Sequence, residues 1–416
     1  MPIIVQKYGG SSVKDLGKLR QIAKKVCAAK NAGNDVVVVV SAMGKTTNEL
    51  VALAKELTTS PSRRELDMLL TTGERITSAL LSIAIHAEGH EAVSLTGSQC
   101  GIITNDRHSN ARIIDVRPVR VEDELHRGNI VIIAGFQGVS YKREITTLGR
   151  GGTDTTAVAM AAALDADHCE IYSDVDGVYS ADPNQVHDAR HLPSISYEEM
   201  QEMAMAGAKV LKADAVEFAK RAGIAIYARA SFAPGRETII RRDIPKEDNG
   251  IRAVVSERDV AFVGFLGKAV TERTLDILRS VERTITPIKE LRFQRPEGQD
   301  SWARGSFVIS TGSLPDWEKA RSSLIEAGGE DLEIEEGLAT LSLIGVGINR
   351  DTRNVTKAIE TMEAMGAPVL GLSTSGFRIS LITREDYLEG AVRKMHEVFI
   401  ESESANAPPS TDECEV

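Results

Sequence analysis

Short, unbroken runs of β-branched residues alternate with helical stripes through the first 230 residues. IIVQK (3–7), VVVVV (36–40), IVIIAG (130–135), CEIYS (169–173) and IAIYARA (224–230) are continuous rather than period-two. That is the pattern of strands covered on both faces. Between the first two runs, Leu16, Leu19, Ile22, Ala23, Val26 and Cys27 recur at helical spacing. Residues 155–165 form a second, Ala-rich apolar stretch, and Ser196 with Glu199 predicts a capping box opening a helix over 197–206. Alternation of this kind predicts an α/β fold with a mostly parallel sheet.

The pattern breaks near 233–252. APGRETIIRRDIPKEDNG holds two prolines, two glycines and many charges, and predicts a linker. Beyond it, TLSLIGVGI, TKAIETMEAM, PVLGLST, GFRISLI and EGAVRKMHEVFI read as strand, helix, strand, strand, helix. One further strand would complete a ferredoxin-like βαββαβ unit. VAFVGFL, RTLDILRSV, IKELRFQ, SFVIST and WEKARSSLIEAG form a weaker copy of the same order. The expected organisation is a catalytic-type domain over 1–240, a linker over 241–256, a divergent ferredoxin-like domain over 257–333 and a second over 334–402. The polar, acidic tail 403–416 is expected to be disordered.

Composition narrows the function. A chain of 416 residues, 42% hydrophobic and 26% charged, suits two or three globular domains. A net charge of −11 argues against a broad nucleic-acid surface. Cys27, Cys100, Cys169 and Cys414 form no CxxC pair, which disfavours a metal or disulfide framework and fits a reducing cytoplasm. MPIIVQKYGG is too short and polar for a signal peptide, and no apolar run approaches the ~20 residues of a membrane helix.

Candidate chemistry clusters at the ends of the strand runs, where open parallel sheets bind ligands. After the first strand, Lys7 precedes Gly9, Gly10, Ser11 and Ser12. A turn there suits a phosphate, and equally a plain corner with a solvated lysine; the P-loop pattern is absent. SAMGKTTNEL (41–50) offers Ser41, Gly44 and Thr47 to an anion or polar substrate, or simply caps a helix. In LLTTGERITSALL, Glu74 could hold an ammonium group or pair with Arg75 at the surface. LGRGGTDTT (148–156) sets Arg150, a fork suited to carboxylate, beside Gly149, Gly151, Gly152, Thr153 and Asp154. Thr155 and Thr156 would begin a helix. In YSDVDGVYSADPN, Ser173, Asp174, Asp176, Tyr179 and Asp182 could hold Mg²⁺ or a ribose, or form a turn; the spacing is not an EF-hand's. GAKVLKADA puts Lys209 on a partly apolar helix, within reach of a phosphate or solvent.

The order of these segments is more specific than any one of them. KYGGSSV, VVSAMGKTTNEL, LLTTGERITSALL, GIITNDRHSNARI, VIIAGFQGVS, ITTLGRGGTDTTAVAMAAAL, EIYSDVDGVYSADP and GAKVL together resemble the aspartate kinases of the amino-acid kinase superfamily, throughout residues 1–230. SLIGVGI with VLGLSTSGFRISLI and AVRKMHEVF is similar to that family's second ACT domain. The resemblance implies a three-layer α/β/α catalytic domain followed by tandem ferredoxin-like (ACT) domains. It implies transfer of the γ-phosphate of Mg-ATP to the β-carboxylate of L-aspartate, giving 4-phospho-L-aspartate for lysine, threonine, methionine and diaminopimelate synthesis. Magnesium would come with ATP rather than on protein ligands. Partners implied are aspartate, ATP and a lysine or threonine effector at the ACT domains, in a cytoplasmic homodimer with no nucleic acid or membrane.

Carried onto matching positions, the resemblance gives Lys7 the transferred phosphoryl group, with Gly9, Gly10 and Ser11 beneath it and Ser41 nearby. Thr47, Glu74, Arg150 and Thr153 would bind aspartate, Glu74 through the ammonium and Arg150 through the α-carboxylate. Asp154 would orient Lys7. Ser173, Asp174, Tyr179 and Asp182 would line the nucleotide pocket, and Lys209 would reach the ATP phosphates.

Three stretches depart from the family pattern. Lys212, Ala213 and Asp214 stand where it has His or Gln, Pro and Arg, and Asn184 where it often has Arg. GFLGKAVTERTLDIL lacks the Asp-Arg-Pro-Gly-like turn of the first ACT region, and Asn349-Arg350-Asp351-Thr352 replaces a Pro-Gly turn in the second. Feedback inhibition is therefore expected to be weakened, lost or altered. Two competing expectations are a related kinase acting on glutamate, acetylglutamate or UMP, and a catalytically silent amino-acid sensor. The TTGER segment opposes the first, and the presence of Lys7, Glu74, Arg150 and Asp154 opposes the second.

Overall fold

In the computed structural model, residues 1–149, 151–233, 235–243, 250–267, 270–284, 288–294, 303–314, 316–350 and 352–401 are described. Arg150, residues 244–249 of the expected linker and the tail 403–416 lie outside that set. The chain begins β1 (Ile3–Tyr8), α1 (Leu16–Asn31), β2 (Asp35–Val40), α2 (Thr46–Leu57), α3 (Arg63–Ala87), β3 (Ala92–Leu95), β4 (Ile102–Thr104) and β5 (Ile113–Val116). It continues α4 (Val119–His126), β6 (Ile130–Ala134), β7 (Gln137–Ser140), β8 (Ile145–Thr147), α5 (Gly152–Ala163), β9 (His168–Ser173), β10 (Val178–Tyr179), β11 (His191–Leu192) and β12 (Ser194–Ser196). Then come α6 (Tyr197–Met205), α7 (Ala213–Ala222), β13 (Ala225–Ala230), β14 (Glu237–Arg241) and β15 (Ala253–Gly267). The remainder is α8 (Val270–Thr284), β16 (Ile288–Gln294), β17 (Ala303–Ser310), α9 (Trp317–Gly328), β18 (Leu332–Ile344), α10 (Arg353–Ala364), β19 (Gly371–Thr374), β20 (Arg378–Arg384) and α11 (Leu388–His396).

Two compact units result. The first comprises Met1–Val178, His191–Met205 and Lys209–Pro245; the second comprises Tyr179–Arg190, Ala206–Ala208 and Lys246–Val416. The first unit is built on an eight-stranded sheet in the order β12-β14-β13-β9-β1-β2-β6-β3. Every described pairing in it is parallel except β13 with β14. All five continuous apolar runs are strands of this sheet. Val36, Val38 and Val40 point with Ile4 and Tyr8 into a core shared with Leu19, Ile22 and Val26 of α1 and Leu81 and Ile85 of α3. The alternate residues face α5, whose first ten residues are all buried. After its polar first turn the helix is apolar on every side from Ala157 to Ala163, and such a segment belongs inside a fold.

The capping box forms as expected: the Glu199 backbone N–H donates to Ser196 Oγ at 3.2 Å, and the Ser196 N–H donates to Glu199 Oε2 at 3.2 Å. Several expectations need correction. β14 lies inside the expected linker. Its Thr238 and Ile240 are buried in period two, a signal hidden among the charges around it. Residues 253–256, also expected in the linker, begin β15. α5 starts at Gly152, so Thr153 and Asp154 join Thr155 in its first turn. Lys209 sits exposed in a bend between α6 and α7, not on a helix. Finally, α3 is long and apolar enough by composition to cross a membrane, but half of its most apolar stretch is buried inside the fold. A smaller sheet in the order β5-β4-β7-β8 was not foreseen; its strands are three or four residues long.

The second unit contains a six-stranded sheet in the order β16-β17-β15-β18-β20-β19, antiparallel at every described pairing. β15 and β18 are long, and each serves two ferredoxin-like repeats. The C-terminal half of β15, with α8, β16, β17, α9 and the start of β18, encloses a core of Val263, Phe265, Ile277, Phe307, Ile309 and Leu324. The end of β18, with α10, β19, β20 and α11, forms the other. Its missing fourth strand is supplied from before the first repeat, where Ala253–Glu257 pair with Thr340–Ile344. Segment 179–190 packs here too, placing Ala181 and Val186 in the core with Leu341, Met362 and Leu388.

Candidate active site

Strand alternation determines which way Lys7 points. Gln6 and Tyr8 turn toward the α1–α3 side, so Lys7 faces α5 and is only 8% exposed. A lone ammonium there would be costly to bury. Asp154, in the first turn of α5 and 7% exposed, meets it at 2.7 Å. Gly151 caps this helix with φ of 69°, a left-handed conformation that glycine adopts without a steric penalty. The hydroxyl of Thr156 donates to Gly152 O at 2.9 Å and accepts the Phe136 N–H at 3.1 Å, which ties the helix start to the end of β6.

The Gly9–Gly10 turn lies against the end of β2. The Gly44 N–H donates to Gly10 O at 3.1 Å, and a Cβ on Gly10 would stand 3.1 Å from Ala42 O. Across from it, Ser41 Oγ donates to Thr153 Oγ1 at 3.0 Å. Gly135 closes the floor: a Cβ there would meet Thr153 Cγ2 at 2.6 Å.

Glu74 is 3% exposed and does not pair with Arg75. Its Oε1 accepts the Ala42 backbone N–H at 3.1 Å, while Oε2 is buried without a protein partner. Burial pushes its carboxyl up from 4.5 to about 7, opposed in part by backbone hydrogen bonds. A buried carboxyl with one oxygen satisfied and one left without a protein partner is an exception among buried polar groups. The Thr155 hydroxyl is buried and unpartnered as well. Three long-range contacts, joined through the sequence neighbours Ala42–Ser41 and Thr153–Asp154, thus link Glu74 to Lys7 without a break.

The remaining expected residues are more scattered. Ser11 is exposed, its carbonyl taking Lys18 Nζ at 3.0 Å, and Thr47 is half-buried in the first turn of α2. The Gly9 N–H donates to Tyr172 O at 3.3 Å, and Ser231 Oγ donates to Ser173 O at 2.9 Å and sits 2.5 Å from Ser12 Oγ. These bonds draw the ends of β1, β9 and β13 together around Ser173. Asp174 is exposed. Tyr179 and Asp182 belong to the second unit, where Asp182 Oδ1 accepts the Asn184 N–H at 2.9 Å and its Nδ2–H at 3.0 Å.

Sequence reasoning missed the Ala42 N–H, Gly135, Ser231 and the contacts of Lys212. The last had a signal, the departure at 212–214, but not its meaning. Lys212 Nζ donates to Leu148 O at 3.0 Å, and a Cβ on Gly151 would touch its stem at 3.3 Å. Burial pulls its ammonium pKa down, with Asp214 and Asp154 opposing. Among the described residues no cluster of three or more His, Cys, Asp or Glu could hold a metal ion.

Residues 2–228 match the amino acid kinase family. Over the whole chain, aspartokinase from Mycolicibacterium smegmatis is 44% identical across 405 residues, 96% of each chain. Aspartokinase from Geobacillus stearothermophilus is 42% identical across 413 residues, 98% of this chain and 99% of that one. Among solved structures, Escherichia coli aspartokinase III in complex with aspartate and ADP superposes with a TM-score of 0.81 at 24% identity, covering 95% of this chain and 99% of that one. At that identity the likeness concerns the fold.

Proposed function

Because this chain belongs to the amino acid kinase family and, within it, to the aspartokinases, we propose how its residues divide the phosphorylation of aspartate by ATP, the first step of the aspartate-family pathway. The unbroken line of contacts from Glu74 to Lys7 carries the assignment. Glu74 Oε2 receives the substrate ammonium. Thr153 and Thr47 hold the acceptor beside it, and the distal carboxylate lies toward Lys7. Arg150 takes the α-carboxylate on the strength of its motif alone. ATP arrives as its magnesium complex and meets Lys7, Gly9, Gly10, Ser11 and Ser41, with Ser173, Asp174 and Lys209 on the nucleotide side. The assignments of Tyr179 and Asp182 rest on sequence.

An aspartate carboxylate is already ionised near neutral pH, so no general base is needed. One of its oxygens attacks the γ-phosphorus as the bond to ADP breaks. The barrier is the approach of two anions. Lys7, held by Asp154, supplies positive charge to the negative charge of the transferring phosphoryl group, and the glycine turns let backbone N–H groups come close. The remaining work is orientation, in which Glu74 sets which carboxylate faces ATP.

The C-terminal unit binds an amino-acid effector and pairs with its copy in a homodimer; its sheet ends at β16 and β19, each paired on one side only among the described residues. The loop that lacks Pro-Gly is organised by Asn349, which donates to Arg378 O at 3.3 Å, and its changed chemistry alters feedback. Micromolar binding of lysine or threonine coupled to ordinary inhibition would contradict that. The buried free thiols Cys27, Cys100 and Cys169 suit a reducing cytoplasm.

A hydroxylamine-trapping assay tests the division of roles. With Mg-ATP, aspartate gives hydroxamate while glutamate and acetylglutamate do not, UMP supports no ADP release in a coupled assay, and Glu74→Gln weakens aspartate without changing the KM for ATP. An equal effect on both substrates would contradict it.

A further inference from the structure

Seven residues before Glu74 on the same helix, Asp67 is fully buried and accepts hydrogen bonds from two other parts of the chain. Its Oδ1 takes the Thr147 hydroxyl at 2.6 Å and the Ser109 N–H at 3.0 Å. Its Oδ2 takes His108 Nδ1–H at 2.8 Å and the Thr147 N–H at 3.2 Å. Thr147 ends β8 and leads into Gly149, where a Cβ would stand 3.1 Å from Asn110 Oδ1 and 3.3 Å from Ser109 O. Ser109 itself holds a positive φ of 67°, a conformation that costs a non-glycine residue free energy unless its surroundings enforce it.

We propose that Asp67 is a positioning residue for the acceptor amino acid. It clamps the entry to the glycine-rich loop onto α3 and so fixes that loop's separation from Glu74. The two residues are seven positions apart, about 10 Å along a helix that is itself rigid. One helix therefore carries both the group that reads the substrate ammonium and the anchor of the loop that reads its other end. A carboxylate suits the task because it is acceptor-only: it takes two N–H groups, a hydroxyl and an imidazole at once, which an amide cannot. The inference rests on Glu74 and the loop being the aspartate site.

The test uses the full-length enzyme and four variants: Asp67→Asn, Thr147→Val, Thr147→Ser and, as a control on the underlying reading, Glu74→Gln. Asp67→Asn and Thr147→Val should raise the KM for aspartate by about tenfold, while the KM for ATP and the kcat stay within about twofold, and Thr147→Ser should restore the wild-type value. Should Asp67→Asn fail to fold, the two Thr147 variants decide. The proposal is overturned if aspartate KM is unchanged in folded Asp67→Asn or Thr147→Val while Glu74→Gln raises it. It is also overturned if the KM values for both substrates shift together. If Glu74→Gln leaves aspartate KM unchanged, the reading of the site fails and this proposal with it.

Discussion

Replacing Glu74 by glutamine should make the protein more stable and bind aspartate less well. The carboxyl is held near pH 7 rather than 4.5 chiefly by burial. Gln keeps its shape and can still accept the Ala42 N–H, but carries no charge to desolvate. The gap between about 7 and 4.5 corresponds to about 3 kcal/mol. The sign follows from proton binding: the folded state holds the proton more tightly than the unfolded state. The contribution of Glu74 is therefore most favourable below pH 4.5, and it is lost as pH rises through about 7. Glu74→Gln should gain most of that ~3 kcal/mol at pH 8 and almost none near pH 4.5. Denaturant unfolding of both proteins across this range measures the difference. An ammonium ligand favours the ionised form, so calorimetry should find wild-type affinity for aspartate about tenfold weaker at pH 6 than at pH 8, and no such dependence in Glu74→Gln. A variant no more stable than wild type at pH 8, or a wild-type affinity flat in pH, would refute a buried, ligand-ready carboxylate.

Other expectations follow from the same geometry. Lys7→Met should lower kcat by about a thousandfold and also destabilise the fold by about 3 kcal/mol, because it strands Asp154 in the interior. Lys7→Met/Asp154→Asn should recover the stability and not the activity; recovery of kcat would sink the role of Lys7. Gly135→Ala forces a methyl to within 2.6 Å of Thr153 Cγ2, which should cost about 1–3 kcal/mol and raise aspartate KM. Thr153→Ser in the same chain should relieve part of both, and a neutral Gly135→Ala would show that the floor is looser than described. Lys212→Met keeps the stem against Gly151 but loses the bond to Leu148, so kcat/KM should fall about tenfold, the worth of one charge-assisted hydrogen bond. Lys212→Ala should fall further, and wild-type kinetics in both would show that the departure at this position is inert.

How far the sequence reveals this depends on the range of each interaction. The five central strands are legible because double-sided burial leaves a local mark, as in the Val36–Val40 run. The Ser196–Glu199 cap is legible because both partners lie within one turn. β14 is not, since only Thr238 and Ile240 of five residues face inward and charges flank them. Glu74 stood out as a carboxylate in an apolar helix, but only the fold shows that it turns away from Arg75 and meets Ala42. Gly135 and Asp67 have no local signature. One matters through a methyl group eighteen positions later and the other through a strand end eighty positions away. The second unit hides its fourth strand for a similar reason, because β15 supplies it from ahead of the first repeat rather than after the second.

The most direct test of the central claim is a crystal structure of the enzyme with aspartate and a non-hydrolysable ATP analogue. The substrate ammonium should lie within hydrogen-bonding distance of Glu74 Oε2, with the distal carboxylate in line with the γ-phosphorus beside Lys7. An ammonium bound away from Glu74, or a γ-phosphate out of reach of Lys7, would contradict the account.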